Sequence, residues 1–410
     1  MTKNLKYYRI RFGLVSPLSI GSGEDASTDS DVILDSRSLP MIPASSFAGA
    51  VRHYLGVSAD DKDNFFGYID NNKAVRSKVI FYDCELVSDS FITVRDSVAL
   101  ENKVGIDGAK FDFEAVESNA EFISLIQLEN AEDDDEARIL EALSAFDSGT
   151  LRLGSKSSRG YGQIKICSIE KAVFSLPDDK EKWLSFDQYD YSSDTNFISV
   201  NLPEITGKFI RIHLELSQKG AVSIRSYTVK DPDVINSSDY IQLSLHDGTP
   251  VIPGTSWAGA FRERFSKFAG ESRTKELFGY VDTSNKKQSK SKICFSESRI
   301  SGHEMKNITR NSIDRFSAGT KDKALYSERT CYNGKCALDI DIAKDISDLN
   351  NKLKYISAVI CDLDKGYLAV GGLTSVGRGL FEITNISVDG SDVTDYLKKC
   401  DISGMTGGIS

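Results

Sequence analysis

The residues best suited to chemistry are carboxylates grouped near the start of the chain. They lie in and just after a polar loop that leads into a short predicted strand, and they are Glu24, Asp25, Asp29, Asp31 and Asp35. Carboxylates in a loop suit Mg²⁺, which takes few protein oxygens and keeps several waters. A solvated acidic loop is the competing interpretation, so the cluster alone does not identify a cation site.

A phosphate-binding pattern occurs twice, at residues 40–52 and 250–262, with eight of 13 positions identical at an offset of 210. In each copy a hydroxyl residue is expected to cap a helix that carries an arginine. Backbone N–H groups, hydroxyls and a guanidinium together suit a phosphate. An ordinary cap with a surface arginine would explain one copy, whereas the repetition favours RNA contact. The residues concerned are Ser45, Ser46, Arg52, Thr255, Ser256 and Arg262.

Each half also ends in a glycine-rich loop with an Arg-Gly step, at residues 153–162 and 371–379. Glycine permits close approach of the backbone to a polyanion, and Lys156, Arg159 and Arg378 add positive charge. A tight turn that packs two strands together is the alternative. A nucleotide-binding P-loop is excluded, because the lysine lies one position away from its place in the Walker motif.

Other catalytic chemistries find little support. The four histidines lack metal-ligand spacing, and no Ser-His-Asp or Cys-His pattern stands out. The seven cysteines are scattered and include no CxxC pair, which argues against a disulfide framework and a cysteine zinc site. Carboxylates and basic residues therefore remain the candidates.

The repeated motifs indicate an internal duplication of domain size. Further pairs occur in the same order in both halves: Phe66-Gly67-Tyr68 with Phe278-Gly279-Tyr280, Ser77-Lys78 with Ser291-Lys292, and Ile106-Asp107 with Ile313-Asp314. The predicted organisation is a first domain at 1–172, a linker at 173–205, a second domain at 206–390 and a tail at 391–410.

The elements that must position these residues are strands alternating with few helices. Helices are predicted at 45–55, 137–146, 179–186, 255–268 and 392–399, and strands at 8–15, 163–166, 210–216 and 356–363. This order fits an α+β fold of two tandem ferredoxin-like domains with insertions.

Composition sets the broad class of protein. The 410 residues are 40% hydrophobic and 27% charged, as in soluble globular proteins, with a net charge of −10. Residues 261–330 hold 16 Lys and Arg against 9 Asp and Glu, which suits either one surface facing a polyanion or a solvated lysine-rich loop. The sequence shows neither a membrane span nor the apolar block of a signal peptide, so we expect a cytoplasmic location and no membrane partner.

Together these motifs resemble the repeat-associated mysterious protein (RAMP) superfamily of CRISPR effectors, above all the backbone subunit of type III interference complexes. In the first half the resemblance rests on residues 18–23, 29–35, 39–52 and 154–162. In the second half it rests on 251–262, 313–316 and 371–379. The chain looks like two such subunits fused in tandem.

The resemblance implies a modified RNA-recognition-type sheet in each half, with a CRISPR RNA, a target RNA and other effector subunits as partners. It also implies that an extended hairpin from each half kinks the guide–target duplex. An acidic loop would then cleave the target RNA at each kink with a divalent metal, expected to be Mg²⁺. The family's catalytic, metal-binding acid matches Asp29. Asp239 lies at the same 210-residue offset in the second half, with Asp231 and Asp233 as alternatives.

Two other functions stay open. One is a scaffold that binds RNA without cleaving it, and the other is a ribonuclease that processes CRISPR RNA. The helix start that occurs twice counts against the second. Family members often carry a lysine in this helix where both copies here have alanine, Ala48 and Ala258. This departure puts one guide-phosphate contact per domain in question.

Overall fold

The computed structural model of the chain is a mixed α+β protein with two compact units. The first unit comprises Met1–Ser157 with Tyr161–Gly207, and the second comprises Ser158–Gly160 with Lys208–Ser410. The structure describes residues 3–23, 28–58, 61–70, 73–101, 104–187, 190, 197–226, 238–282 and 287–395, with the backbone alone at 98–101, 104–110 and 323. None of the helices in these ranges is long and apolar enough to cross a membrane.

Strands dominate the first unit. Its elements in chain order are β1 (Lys3–Leu14), α1 (Ala44–Tyr54), β2 (Tyr68–Asp70), β3 (Lys73–Val75), β4 (Val79–Phe81), β5 (Glu85–Leu86), β6 (Ile92–Glu101), β7 (Val104–Val116), β8 (Glu121–Glu129), α2 (Asp133–Asp147), β9 (Ile164–Leu176), α3 (Lys180–Ser185) and β10 (Ile198–Ser199).

The central sheet of this unit has the order β9-β1-β8-β4, and each neighbouring pair is antiparallel. In the chain, α1 lies between β1 and β4, and α2 lies between β8 and β9. Side chains alternate between the two faces of the sheet along β1, so Tyr8, Ile10 and Phe12 lie on the helix side. There they share one buried core with Phe47 of α1 and Phe146 of α2. Both helices therefore cover the same face of the sheet.

The opposite face is covered by residues that follow β9. Tyr7 and Phe174 are buried there, and the Phe186 ring lies 5.0 Å from each of their rings. β10 pairs with β9, and Trp183 of α3 joins the same apolar cluster. The segment predicted as a linker at 173–205 thus forms part of the first unit, because its aromatic side chains complete the burial of the sheet.

The second unit repeats this plan. Its elements are β11 (Phe209–Lys219), β12 (Ala221–Val222), β13 (Arg225–Ser226), β14 (Tyr240–Gln242), β15 (Val251–Ile252), α4 (Gly254–Phe278), β16 (Tyr280–Asp282), β17 (Lys287–Ser289), β18 (Ile293–Phe295), β19 (Ser298–Arg299), β20 (Glu304–Ile313), β21 (Thr320–Tyr332), β22 (Lys335–Ala343), α5 (Leu349–Asp364), β23 (Leu380–Val388) and β24 (Ser391–Asp392).

The central sheet of the second unit has the order β18-β22-β11-β23, again antiparallel throughout. α4 lies between β11 and β18, and α5 lies between β22 and β23, so the two repeated helix starts open equivalent helices. The repeated Ser-Lys pairs each precede an equivalent edge strand, β4 or β18. The pair Ile106-Asp107 and Ile313-Asp314 does not correspond, since Ile106 lies on β7 and Ile313 ends β20.

The strand predicted at 356–363 is wrong, because these residues form the second half of α5. Ile356, Val359, Ile360 and Leu363 are buried, and their spacing of three and four residues defines one face of a helix. The β-branched side chains of Ile356, Val359 and Ile360 favour a strand only when the spacing is ignored. The other predicted helices correspond to α1, α2, α3 and the part of α4 before its break at Gly270, while half of the helix predicted at 392–399 lies outside the described residues.

A partly buried carboxylate connects α2 to the first sheet. Glu136, in the first turn of α2, accepts hydrogen bonds from Lys6, Tyr8 and Lys171. Burial by itself would raise the pKa of Glu136, but the hydrogen bonds from the two lysines and the tyrosine outweigh it and lower the pKa to about 2.

Acid should therefore destabilise the first unit through Glu136. The stability that its low pKa contributes is complete above the ordinary pKa of 4.5 and is lost as the pH falls from there toward 2. We expect a loss on the order of 2 kcal/mol in the free energy of unfolding, measured by urea denaturation across this range. Glu136→Gln should flatten the dependence, and an equally steep dependence in that variant would contradict the assignment.

Candidate active site

Asp29 is exposed beside the long hairpin that β6 and β7 form. Its loop and the hairpin exchange two hydrogen bonds. The Asp29 backbone N–H donates to Oδ1 of Asp112 on β7 at 3.0 Å, and the Asp112 backbone N–H donates to Oδ2 of Asp29 at 2.9 Å. The carboxylate of Asp29 is thereby fixed against the hairpin at a solvent-accessible position.

The residues that follow Asp29 in this loop are also hydrogen-bonded to β7. The Glu114 backbone N–H donates to the Ser30 carbonyl at 3.0 Å, and Oε2 of Glu114 accepts the Val32 N–H at 2.9 Å. Asp112 and Glu114 share one face of β7 because they are two residues apart. One strand thus holds the backbone on the C-terminal side of Asp29.

The remaining carboxylates of the cluster serve other purposes or lie elsewhere. Asp31 accepts hydrogen bonds from the Thr28 N–H and hydroxyl, which closes a short turn. The N–H of Leu39, above all, lowers the pKa of Asp35, which shapes the following turn. Glu24 and Asp25 lie outside the described residues.

The second unit presents Asp239 in the same way. Its backbone N–H donates to Oγ of Ser327 on β21 at 3.1 Å, and its Oδ2 accepts the Ser327 N–H at 2.7 Å and the Ser327 hydroxyl at 3.1 Å. Asp239 is exposed, and β21 pairs with β20 in the hairpin equivalent to β6–β7. Asp231 and Asp233 lie outside the described residues.

The tip of the second hairpin carries an unburied aromatic ring. Phe316 has a relative exposure of 101%. Its backbone N–H and that of Ser317 both donate to Oδ1 of Asp314, so the turn that presents the ring is held by local hydrogen bonds. These hydrogen bonds lower the pKa of Asp314, Ser317 contributing most.

The first helix start differs from its prediction in one respect. α1 begins at Ala44, its N-cap position is Pro43, and no side chain caps it locally. Oδ1 of Asp83 instead accepts the Ala44 N–H at 2.7 Å. The predicted cap by Ser45 or Ser46 is therefore wrong: the helix starts directly after the proline, before either hydroxyl can occupy the cap position.

The arginine of this helix is engaged locally. Nη2 of Arg52 donates to the Ser58 carbonyl at 2.7 Å, and its guanidinium carbon lies 5.7 Å from the centroid of the Phe66 ring. Arg52 is half-buried, so part of its hydrogen-bonding capacity is used in closing the end of α1.

The second helix start follows the same rule. α4 has Pro253 as its N-cap residue and no side-chain cap, so the predicted cap by Thr255 or Ser256 is also wrong. Both residues are half-buried in the first turn. Arg262 is exposed on the same helix and is the more accessible of the two repeated arginines.

The two glycine-rich loops share one backbone path. The Leu153 N–H donates to the Gly162 carbonyl, as the Val370 N–H does to the Gly379 carbonyl. The third residue after each of these donors, Lys156 or Leu373, has a left-handed φ of 58° or 57°. When the loops are aligned by these backbone features, Arg378 corresponds to Tyr161. Alignment of the Arg-Gly steps in the sequence would instead pair Arg378 with Arg159.

The structure corrects the prediction for Arg378. Its side chain is 3% exposed and forms an ion pair with Glu328, which is fully buried. In the first unit the corresponding residues are aromatic, and Tyr161 packs edge-on against Phe113 with ring centroids 5.8 Å apart. A buried ion pair thus replaces a buried aromatic pair, and the Arg378 side chain is not exposed at the surface of its unit.

Lys156 and Arg159, the cationic residues of the first glycine-rich loop, differ in solvent exposure. Nζ of Lys156 lies 3.9 Å from the centroid of the Phe113 ring and 3.3 Å from Oγ of Ser19, and the residue is half-buried. Arg159 is exposed in a 3-10 turn at Ser157–Arg159.

Sequence reasoning missed Asp112 and Ser327, the residues that hold the two candidate acids. Asp112 lies in the alternating segment Phe111-Asp112-Phe113-Glu114-Ala115, whose polar residues face one side of a strand. That pattern predicts a strand, but no local signal links it to a loop more than 80 residues earlier. Ser327 has no distinctive pattern at all.

The carboxylate oxygens around Asp29 suit only a metal ion that takes few ligands from the protein. Within the ranges given above, no group of three or more His, Cys, Asp or Glu side chains is arranged to hold an ion. Mg²⁺ commonly takes one or two protein carboxylates and completes its shell with water and substrate phosphates. The exposed carboxylate of Asp29 fits that mode.

The chain belongs to the RAMP superfamily, whose family model matches residues 11–165 and 224–382. The two matched regions fall in the two units. No curated protein matches the chain. Among solved structures it is similar to a chain of "Cryo-EM structure of the Type III-B Cmr-beta bound to cognate target RNA", with 16% identity and a TM-score of 0.34. That match covers 44% of this chain and 61% of the other, less than two thirds of its length.

Proposed function

We propose that this chain is a double backbone subunit of a type III CRISPR effector complex. It would bind the CRISPR RNA and cleave complementary target RNA in antiviral defence in the cytoplasm, together with other effector subunits. Membership of the RAMP superfamily over both units supports this proposal. The order of strands and helices in each unit supports its assignment as ferredoxin-like.

The observation that carries the proposal is the repeated juxtaposition of an exposed aspartate with a long hairpin. Asp29 contacts β7, and Asp239 contacts β21. Hairpins of this kind are expected to splay nucleotides of a guide–target duplex. A carboxylate fixed against the hairpin would then lie close to the distorted phosphate.

The chemistry expected of Asp29 is general base catalysis. Its carboxylate would accept the proton of a ribose 2′-OH while the 2′-oxygen attacks the adjacent phosphorus in line. The bond from phosphorus to the 5′-oxygen breaks, and this oxygen takes a proton from water. The products would carry a 2′,3′-cyclic phosphate and a 5′-hydroxyl.

A divalent metal, most simply Mg²⁺ held by Asp29 and RNA phosphates, would neutralise the phosphate charge. Arg262 and Arg159 are exposed and are proposed contacts to the guide backbone. Ser45, Ser46, Thr255 and Ser256 remain proposed phosphate contacts through the first turns of α1 and α4.

An inactive second unit is the competing proposal for Asp239. Oδ2 of Asp239 accepts two hydrogen bonds from Ser327, whereas Oδ2 of Asp29 accepts only the Asp112 N–H in the described part of the first unit. Two hydrogen bonds occupy both lone pairs of that oxygen and leave it less open to a metal ion or a ribose hydroxyl. Asp239 would then anchor the loop without acting as a base.

The test is cleavage by the assembled complex with a defined guide and a labelled complementary RNA. We expect a cut opposite the first unit, a second cut if Asp239 is active, and no cut with excess chelator. A complex that binds target but leaves it intact with Mg²⁺ present would favour the inactive scaffold. Cleavage of repeat RNA by the lone chain would favour the processing ribonuclease.

Phe316 gives a prediction for the hairpin tip. A fully exposed ring that stacks on a base contributes about 1–3 kcal/mol. Phe316→Ala should therefore slow the cut opposite the second unit by roughly tenfold or more in single-turnover assays, without changing thermal stability. Phe268→Ala is the matched control, because that ring is exposed on α4 and does not belong to the hairpin. Equal rates in both variants would contradict a role for the tip.

A further inference from the structure

The two units hold their candidate acids by the same contact but with different residues. In each, the backbone N–H of the aspartate donates to a side-chain oxygen on the long hairpin, and the hairpin residue's own N–H returns a hydrogen bond to Oδ2. The hairpin residue is Asp112 in one unit and Ser327 in the other. The contact therefore persists although charge, size and functional group all differ.

What the two hairpin residues share is a single property. Oδ1 of Asp112 and Oγ of Ser327 both accept the N–H of the acid, at 3.0 and 3.1 Å. The negative charge of Asp112 is not shared, so it cannot be what the contact requires. The return hydrogen bond comes from the backbone and is independent of the side chain.

The acceptor also has a clear mechanical effect. With both hydrogen bonds made, the backbone and the carboxylate of the acid are tied to one strand residue. Without the acceptor, the Asp29 backbone loses its own tie to the strand while the contacts of Ser30 and Val32 with Glu114 remain, so the carboxylate can shift locally. Misplacement of a catalytic group by about 1 Å can reduce a rate on the order of 100-fold.

We propose that Asp112 and Ser327 are positioning residues that align the Asp29 and Asp239 loops with the hairpin. This inference rests on the proposed cleavage function for its kinetic consequence. Its structural consequence, a fixed Asp29 N–H, holds without RNA.

The experiment compares Asp112→Ala with Asp112→Asn and Asp112→Ser. Asparagine and serine keep an oxygen that can accept the Asp29 N–H, and serine is the residue that the second unit uses. We expect the alanine variant to slow the cut opposite the first unit on the order of 100-fold. The asparagine and serine variants should stay within a few-fold of the wild-type rate. The cut opposite the second unit, where present, serves as an internal control for assembly and folding.

A second readout needs no cleavage. Hydrogen exchange of the Asp29 amide in the free chain should speed up about tenfold in Asp112→Ala and stay near the wild-type rate in Asp112→Asn. Unchanged protection in the alanine variant would overturn the proposal even if the wild-type complex never cuts RNA. Equal kinetic losses in the alanine, asparagine and serine variants would also overturn it, because the charge would then be required.

The second unit offers a reciprocal test. Ser327→Ala should expose the Asp239 amide to exchange, whereas Ser327→Thr keeps the hydroxyl and should preserve its protection. Equal exchange in these two variants would contradict the positioning role of Ser327.

Discussion

Asp29→Asn is expected to remove the target-RNA cut opposite the first unit while guide and target binding stay unchanged. Asparagine preserves the size of the side chain and the oxygen that accepts the Asp112 N–H, so it removes only the charge. Loss of a general base lowers a rate by about 10²- to 10⁴-fold. The measurement is single-turnover cleavage of a labelled target by the assembled complex, with binding followed by gel shift.

The second unit supplies the control for this prediction. Asp239→Asn should leave the first cut intact and remove, at most, a different one. Loss of every cut in Asp29→Asn would indicate a defect of the whole complex. Persistence of every cut at the wild-type rate would show that Asp29 is a solvated loop residue.

Arg378→Ala is expected to destabilise the second unit by about 3–5 kcal/mol, because it leaves the fully buried Glu328 carboxylate without its main cation. Arg310 lies 3.5 Å from the same carboxylate and would compensate in part. Trp257 is buried in the second unit and reports its unfolding by fluorescence. Replacing Trp183 by phenylalanine removes the other tryptophan of the chain, so that a denaturant titration follows this unit alone.

The matched variant is the pair that the first unit already uses. Glu328→Phe combined with Arg378→Tyr should recover the stability lost in Arg378→Ala, and can exceed the starting value by about 1–4 kcal/mol. The reason is that Oε2 of Glu328 and Nη1 of Arg378 are buried without a hydrogen-bond partner among the described residues. These two atoms reduce the contribution of the native ion pair to stability. A double variant no more stable than Arg378→Ala would contradict this reading of the two pairs.

Local sequence patterns predict much of the fold. Alternation along 8–15 and 210–216 predicts β1 and β11, and acidic residues before Ala137 predict α2. The errors have physical causes. At 356–363 residue preference favoured a strand while spacing favoured a helix, and at the repeated prolines the fixed backbone starts each helix before the serine or threonine.

The candidate site was accessible only in part. The acids at 29 and 239 follow from the family's motif and the 210-residue offset, but the strands that hold them lie more than 80 residues away in the chain. Contacts at that separation depend on the register of the long hairpins, which no local pattern specifies. The sequence shows that Arg378 is charged but does not show that its partner Glu328 is buried. An arginine that forms a structural ion pair was therefore predicted to bind RNA.

The layer that covers the outer face of the first sheet determines where the chain can be divided. A fragment ending at residue 172 would lose Phe174, Trp183 and Phe186, and would leave Tyr7 and Leu125 of the sheet in contact with water. A continuous apolar face of this kind promotes self-association. The duplicated motifs therefore mark repeated sequence, whereas a soluble first half also needs the residues between the repeats. The compact first unit extends to Gly207.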